Sequence, residues 1–167
     1  MKEKQKKETD SYDEAVLEIR RVTRVVRGGK RFTFRTTVAV GNRAGCVGIG
    51  TGRGKDVASS VEKARRDAQK KVFCFPLKNN RTVLYDVEGK YSSSRVKLKP
   101  AREGHGLVAG GSPRLVLDLA GVKDISAKML GATSNKLTNA LAVLKALKSY
   151  TKHVEHADTQ HKEPKQE

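Results

Sequence analysis

The chain has 167 residues, room for one domain or two small ones. Its 35 Lys and Arg against 18 Asp and Glu leave a formal net charge of +17, which calls for nucleic acid or an anionic membrane surface as partner. No run of about 18 apolar residues is present to cross a bilayer. Cys46 and Cys74 stand far apart with no CxxC partner, so neither a disulfide scaffold nor a zinc site is expected, and a reducing cytoplasm is the default compartment. Trp is absent and aromatics are 5% of residues, a composition that favours reading nucleic-acid backbone and shape over stacking on bases.

Residues 1–12 are charged and polar, without the apolar core of a signal peptide, and read as a disordered basic arm. A first strand is expected over 16–26, where Leu17 and Ile19 alternate and Val22, Val25 and Val26 fall out of phase, as at a bulge. Arg27-Gly28-Gly29-Lys30 is a turn. In the next strand Phe32, Phe34, Thr36, Val38 and Val40 alternate with Arg31, Thr33, Arg35, Thr37 and Ala39, which predicts an apolar face towards a core and a solvated cationic face. A turn over 41–45 leads to a short strand at Val47 and Ile49. Val57, Val61, Ala64, Ala68 and Val72 then make one helical stripe over 56–73, with Asp56 placed to cap it. The first unit, 13–76, is thus β-β-β-α.

A composition break at Pro76–Asn80 separates a second unit, 81–150, expected to fold on its own. Thr82–Tyr85 and Ser94–Leu98 read as strands. Gly104–Pro113 is a glycine-rich loop, better explained by tight packing than by a bound ligand. The segment 114–120 alternates like a strand, but Ser112 as N-cap, Pro113 at the first helical position and Gly121 after the end favour a helix. A short strand at Asp124–Ala127 precedes a last helix over 135–150 carrying Leu137, Leu141, Leu144 and Leu147. Residues 151–167 read as a disordered tail, in which His153, His156 and His161 have only loose metal-like spacing.

Chemistry concentrates in 19–55. Arg20, Arg21, Arg24, Arg27, Lys30, Arg31, Arg35, Arg43, Arg53 and Lys55 lie there without a single acid, and Gly28 and Gly29 form the turn among them. Those twelve residues are the candidate RNA-binding set, since a one-sign folded surface is stabilised by phosphates. Gly50-Thr51-Gly52-Arg53-Gly54-Lys55 is like a phosphate loop but fails the Walker pattern: Ile49 stands where the first glycine is needed and Asp56 replaces the Ser or Thr that holds magnesium. It reads instead as a flexible cationic turn opening a helix. No nucleophile–base pair stands out, and Cys46 is expected to be buried and inert. No catalytic residue, metal or cofactor is predicted, and no stable homo-oligomer.

Three blocks resemble one family. They are Val26-Arg27-Gly28-Gly29-Lys30-Arg31-Phe32-Thr33-Phe34; Val40-Gly41-Asn42 with Val47-Gly48-Ile49-Gly50-Thr51-Gly52; and Pro100-Ala101-Arg102-Glu103-Gly104-His105-Gly106-Leu107-Val108-Ala109-Gly110-Gly111. Over about residues 14–148 the chain resembles the S-five protein family of the small ribosomal subunit, bacterial or organellar in type. The resemblance implies an α+β protein of two small domains. The first is double-stranded-RNA-binding-like without the leading helix, and the second is an α/β domain of the type shared with GHMP kinases. It further implies a non-enzymatic role: binding small-subunit rRNA, touching ribosomal proteins four and eight, and lining the path by which mRNA enters. The Arg27–Arg31 loop would lie near the rRNA site of spectinomycin. Two alternatives are a kinase-like nucleotide-binding protein, discriminated by an ATPase assay, and a free double-stranded-RNA regulator, which would bind generic duplexes without ribosomes.

Overall fold

A computed structural model describes residues 12–160, with the side chains of 12–151. The arm up to Ser11 and residues 161–167 of the tail lie outside the described residues. The chain folds as β1 (Asp13–Val26), β2 (Gly29–Gly41), β3 (Cys46–Gly54), α1 (Val57–Lys70), β4 (Phe73–Cys74), β5 (Val87–Tyr91), β6 (Ser94–Pro100), β7 (Leu107–Val108), α2 (Gly111–Leu119), β8 (Ile125–Met129) and α3 (Lys136–Gln160). Two four-stranded sheets result, ordered β1-β2-β3-β4 and β5-β6-β8-β7. All neighbours are antiparallel except β7 and β8.

The glycine run is not a turn. Gly48, Gly50, Gly52 and Gly54 lie in β3 at a spacing of two, so all four face the same way. They face α1. A Cβ on Gly50 would stand 2.2 Å from Ala68 N and 2.3 Å from Ala64 O, and one on Gly52 would stand 2.3 Å from Ser60 O. The helix answers with its own small residues, Ser60, Ala64 and Ala68, all buried. The period of two was visible, but glycine's turn propensity outweighed it in the reading of 50–55. Asp56 does occupy the N-cap, yet its side chain makes no capping hydrogen bond. The bulge of β1 also lies elsewhere than expected: the register shifts between Val16 and Glu18, and the extra residue, Leu17, is buried in the core.

Both faces of the first sheet are covered near its base. On one, Val38 and Val40 pack with Ala64 and Ala68. On the other, Leu17, Ala39, Val47 and Ile49 join Val83, Val96, Leu98, Val116, Leu117 and Leu147 of the second unit in one continuous core. The predicted solvated face is therefore solvated only in its outer half. The turn between β2 and β3 docks on the end of α2, where Arg43 N donates to Leu119 O at 2.9 Å and Gly45 N to Ala120 O at 2.9 Å. Gly121, at φ +80°, ends α2 in a Schellman pattern, with Val122 N donating to Leu117 O and Gly121 N to Asp118 O.

Three expectations for the second half need correction. Thr82–Tyr85 is no strand: Val83 is buried while Leu84 is exposed, and one isolated bridge, Lys78 with Thr82, precedes them. The strand is Val87–Tyr91, whose Gly89 lets α3 approach closely, since a Cβ there would stand 2.3 Å from Ala142 O. Helix α2 begins at Gly111 with Gly110 as N-cap, placing Pro113 later in the first turn, where a missing N–H is still harmless. Helix α3 continues to Gln160 through residues read as tail, because Lys, His and Glu do not break a helix once Leu144, Leu147 and Tyr150 anchor it.

Cys46 and Cys74 are joined by a disulfide, contrary to expectation. They are direct partners in the β3–β4 register, and Cys74 is exposed. A two-residue strand following a helix leaves no periodic signal, so the pairing was hidden.

Three outcomes follow for stability. Gly50→Ala should cost about 3 kcal/mol or more in urea unfolding, because only backbone stands in the way. Gly28→Ala, with open space at its Cβ, should stay within about 0.5 kcal/mol. Leu117→Ala should cost about 2–5 kcal/mol. Because the core crosses between the units, hydrogen exchange should show it lowering protection of β2 and β3 together with β6. The expected independence of the units would require protection to fall in the second unit alone.

Candidate nucleic-acid interface

β3 pairs with β2 only from Phe34 to Gly41, whereas β1 follows β2 all the way to the pair Val26–Gly29. Beyond Phe34 the sheet narrows to a two-stranded arm. The five residues Gly29–Thr33 carry it about 17 Å at ~3.4 Å per residue. Arg27 and Gly28 form its tip, and Gly29 takes φ +137°. Nothing lies within 4 Å of a Cβ at Gly28 or Gly29.

Register sorts the cations by face. Arg20, Arg35 and Arg53 are direct partners across three strands, and Arg24 and Arg31 are partners four residues further out, past the Val22–Thr33 pair. All five arginines share one side of the sheet. Like charges directly opposite one another are unfavourable, so this surface is stabilised by bringing an anion to it. Arg20 has an internal partner, with its Nε 2.9 Å from Glu18. Arg24, Arg31, Arg35 and Arg53 make no ion pair among the described residues. Where the arginine face meets the start of α3, a small cleft of about 60 Å³ is lined by Glu18, Arg20, Arg35, Thr37, Asn135 and Leu137.

The other predicted residues divide. Arg21 and Lys30 lie on the reverse face, Arg27 at the tip, and Lys55 where β3 turns into α1. Arg43 does not join them. It lies past the opposite end of β2, at φ +53°, and its guanidinium meets Asp13 at 2.8 Å and Asp118 at 4.0 Å. It tethers the two units. Phe32, expected to face a core, is 44% exposed, and the Arg21 guanidinium lies 3.7 Å from its ring centroid. The strand's alternation was read correctly, but the apolar face outruns the helix that covers it.

A second cationic surface was missed. On the side of the second sheet away from its helices stand Lys90, Arg95, Lys97, Lys99 and Lys128, with Lys97 paired to Glu88 at 3.1 Å. The alternation Arg95-Val96-Lys97-Leu98-Lys99 was its signal.

The second glycine loop is held from below. Asp124 is buried and accepts hydrogen bonds from Gly106 N at 3.0 Å and Arg81 Nε at 2.9 Å, while Arg81 also pairs with Glu103. The Gly106 N–H, followed by Arg81, holds the Asp124 carboxyl below the usual carboxylate range. Gly104 and Gly106, at φ +85° and +78°, turn the chain so that this N–H points inward. A structural role for the loop follows.

Comparison with known proteins places the chain. The family model described as ribosomal protein S5, N-terminal domain, matches residues 12–76, and that for the S5 C-terminal domain matches 89–160. The chain belongs to the ribosomal protein S5 family. Small ribosomal subunit protein uS5 of Campylobacter jejuni is 48% identical over 139 residues, 83% of this chain and 92% of the relative. The uS5c proteins of Cyanidioschyzon merolae and Cyanidium caldarium are 46% and 44% identical, over 84% and 82% of this chain and 91% and 81% of theirs. The α+β, two-domain class implied by the resemblance is the class of this family.

Because the Asp124 carboxyl is held low, its contribution is present above about pH 4 and lost as pH falls through the depressed value. Asp124→Asn should therefore melt at lower temperature than the parent at pH 7, and the gap should narrow as the pH is taken below 4. A gap constant across that range would mean that the carboxylate charge contributes nothing there.

Proposed function

We propose that this chain is an RNA-binding structural constituent of the small ribosomal subunit, in a cytoplasmic or organellar ribosome. The supporting relatives are named as small-subunit proteins of both bacterial and chloroplast type. The observation that carries the mechanism is the cross-strand row Arg20–Arg35–Arg53, with Arg24 and Arg31 beyond it on an arm that no other element covers. Such a row holds successive phosphates and fixes register, because backbone contacts position a protein on RNA. The proposed contact set is Arg20, Arg21, Arg24, Arg27, Gly28, Gly29, Lys30, Arg31, Arg35, Arg53 and Lys55. Arg43, engaged with Asp13, is left out. Contacts with ribosomal proteins four and eight and with mRNA on its way in belong to the same proposal and rest on the family resemblance.

The test is salt dependence. The protein should co-sediment with small subunits in high salt, and its affinity for small-subunit rRNA should fall steeply as salt rises. If the arginine row meets three phosphates, Arg20→Gln, Arg35→Gln and Arg53→Gln together should reduce the slope of log K against log salt by about 2–3. An unchanged slope would remove the row from the interface.

A further inference from the structure

The arm has a second face, and its chemistry differs from the arginine face. Val25 and Phe32 stand there 72% and 44% exposed beside Lys30, and on the same face just below the arm lie Arg21, opposite Phe34, and Ile19, opposite Thr36 and 47% exposed. The same side of the sheet is covered by α1 further down, through Val38 and Val40. Past Phe34 that cover ends while the apolar residues continue. A two-stranded ribbon open on both sides is marginally stable in water, so this segment gains order from what it binds.

We infer that this face takes unpaired bases of RNA while the arginine face takes phosphates. The inference rests on the RNA-binding reading of the same arm and names what its reverse side recognises. The occupant must offer apolar surface and negative charge together, because no Asp or Glu lies between Ile19 and Lys55 to meet a basic partner. A duplex does not qualify, since its base faces are stacked inside and only phosphates and groove edges are presented. Unpaired nucleotides do qualify: bases lie on aromatic rings and guanidinium planes, and phosphates reach the flanking cations. Arg21 already forms half of such a stack. Its guanidinium covers one side of the Phe32 ring, is itself exposed, and makes no ion pair among the described residues. A base laid on that guanidinium extends a stack that the protein has begun.

The experiment compares a 12-nucleotide single strand carrying 2-aminopurine with the duplex of the same sequence, using the full chain. The parent should change the 2-aminopurine fluorescence of the single strand on binding. Phe32→Thr keeps a strand-forming residue but removes the ring. It should weaken single-strand binding about tenfold and leave duplex binding within about twofold. Arg24→Gln with Arg31→Gln, on the opposite face, should weaken both RNAs by similar factors. Circular dichroism checks that each variant keeps its fold, and the parent supplies a measurement free of mutation. Photo-crosslinks from 4-thiouridine in the single strand should fall on the strands holding Val25 and Phe32. Equal loss on both RNAs in Phe32→Thr, or crosslinks confined to the arginine face, would overturn the inference and leave the RNA-binding reading intact. A parent that binds neither RNA would overturn that reading itself.

Discussion

The close approach of α1 to β3 governs what the rest of the first unit can do. With no Cβ at 48, 50, 52 and 54, the helix backbone settles directly on the strand, and a Cβ at Gly50 would meet the Ala68 and Ala64 backbone below 2.5 Å. A helix held that near covers the base of the sheet and no more. Its 14 residues span about 21 Å at 1.5 Å per residue, and they lie against β3, which ends at Gly54. Everything in β1 and β2 beyond the Phe34–Gly54 pair is left without a third strand or a covering helix. The arm exists because the packing stops there.

The same logic is repeated in the second unit. Gly89 brings α3 down on β5 as the β3 glycines bring α1 down on β3. Between the units the chain uses backbone again: the Gly41 Cβ position would meet Leu119 O at 2.2 Å, and that of Gly121 would meet Arg43 O at 2.0 Å. These contacts exclude side chains, so they are rigid, and they join two cores into one. Arg43 shows the consequence for charge. It belongs by sequence to the acid-free cationic stretch, yet the docking of its turn on α2 brings it to Asp13 and Asp118, so it stays exposed but its charge is met within the chain.

Much of this was legible in the chain. The alternation from Phe32 to Val40 placed β2, the apolar stripe Val57, Val61, Ala64, Ala68 and Val72 placed α1, and the imbalance of charge marked the stretch that carries the arginine row. What could not be read has a common cause: the signals depended on where a partner ended. Period-two glycines in 48–54 mark a strand only if a helix lies against them; otherwise they mark a turn. Phe32 has the same pattern as Val38, and only the extent of α1 separates an exposed ring from a buried methyl. Cys46 and Cys74 meet because a two-residue strand returns beside β3, and no periodicity announces so short an element. Helix α3 outran its apolar anchors because polar helix formers extend a helix already nucleated.

A sheet face with five arginines, two of them on the uncovered arm, carries an electrostatic cost in the free protein. The row Arg20–Arg35–Arg53 sets three cations side by side, and only Arg20 has a carboxylate to meet. Evolution of a stable free protein would place acids among them, as it does on α1, where Arg66 pairs with Glu62, Lys71 with Asp67 and Arg65 with Glu14. Three cations of the helix segment thus have a carboxylate partner within the chain, whereas four of the five arginines on the sheet face have none among the described residues. In the proposed function a polyanion supplies the charge that the arm lacks. Part of the binding energy of that partner is spent ordering a ribbon that water alone supports poorly.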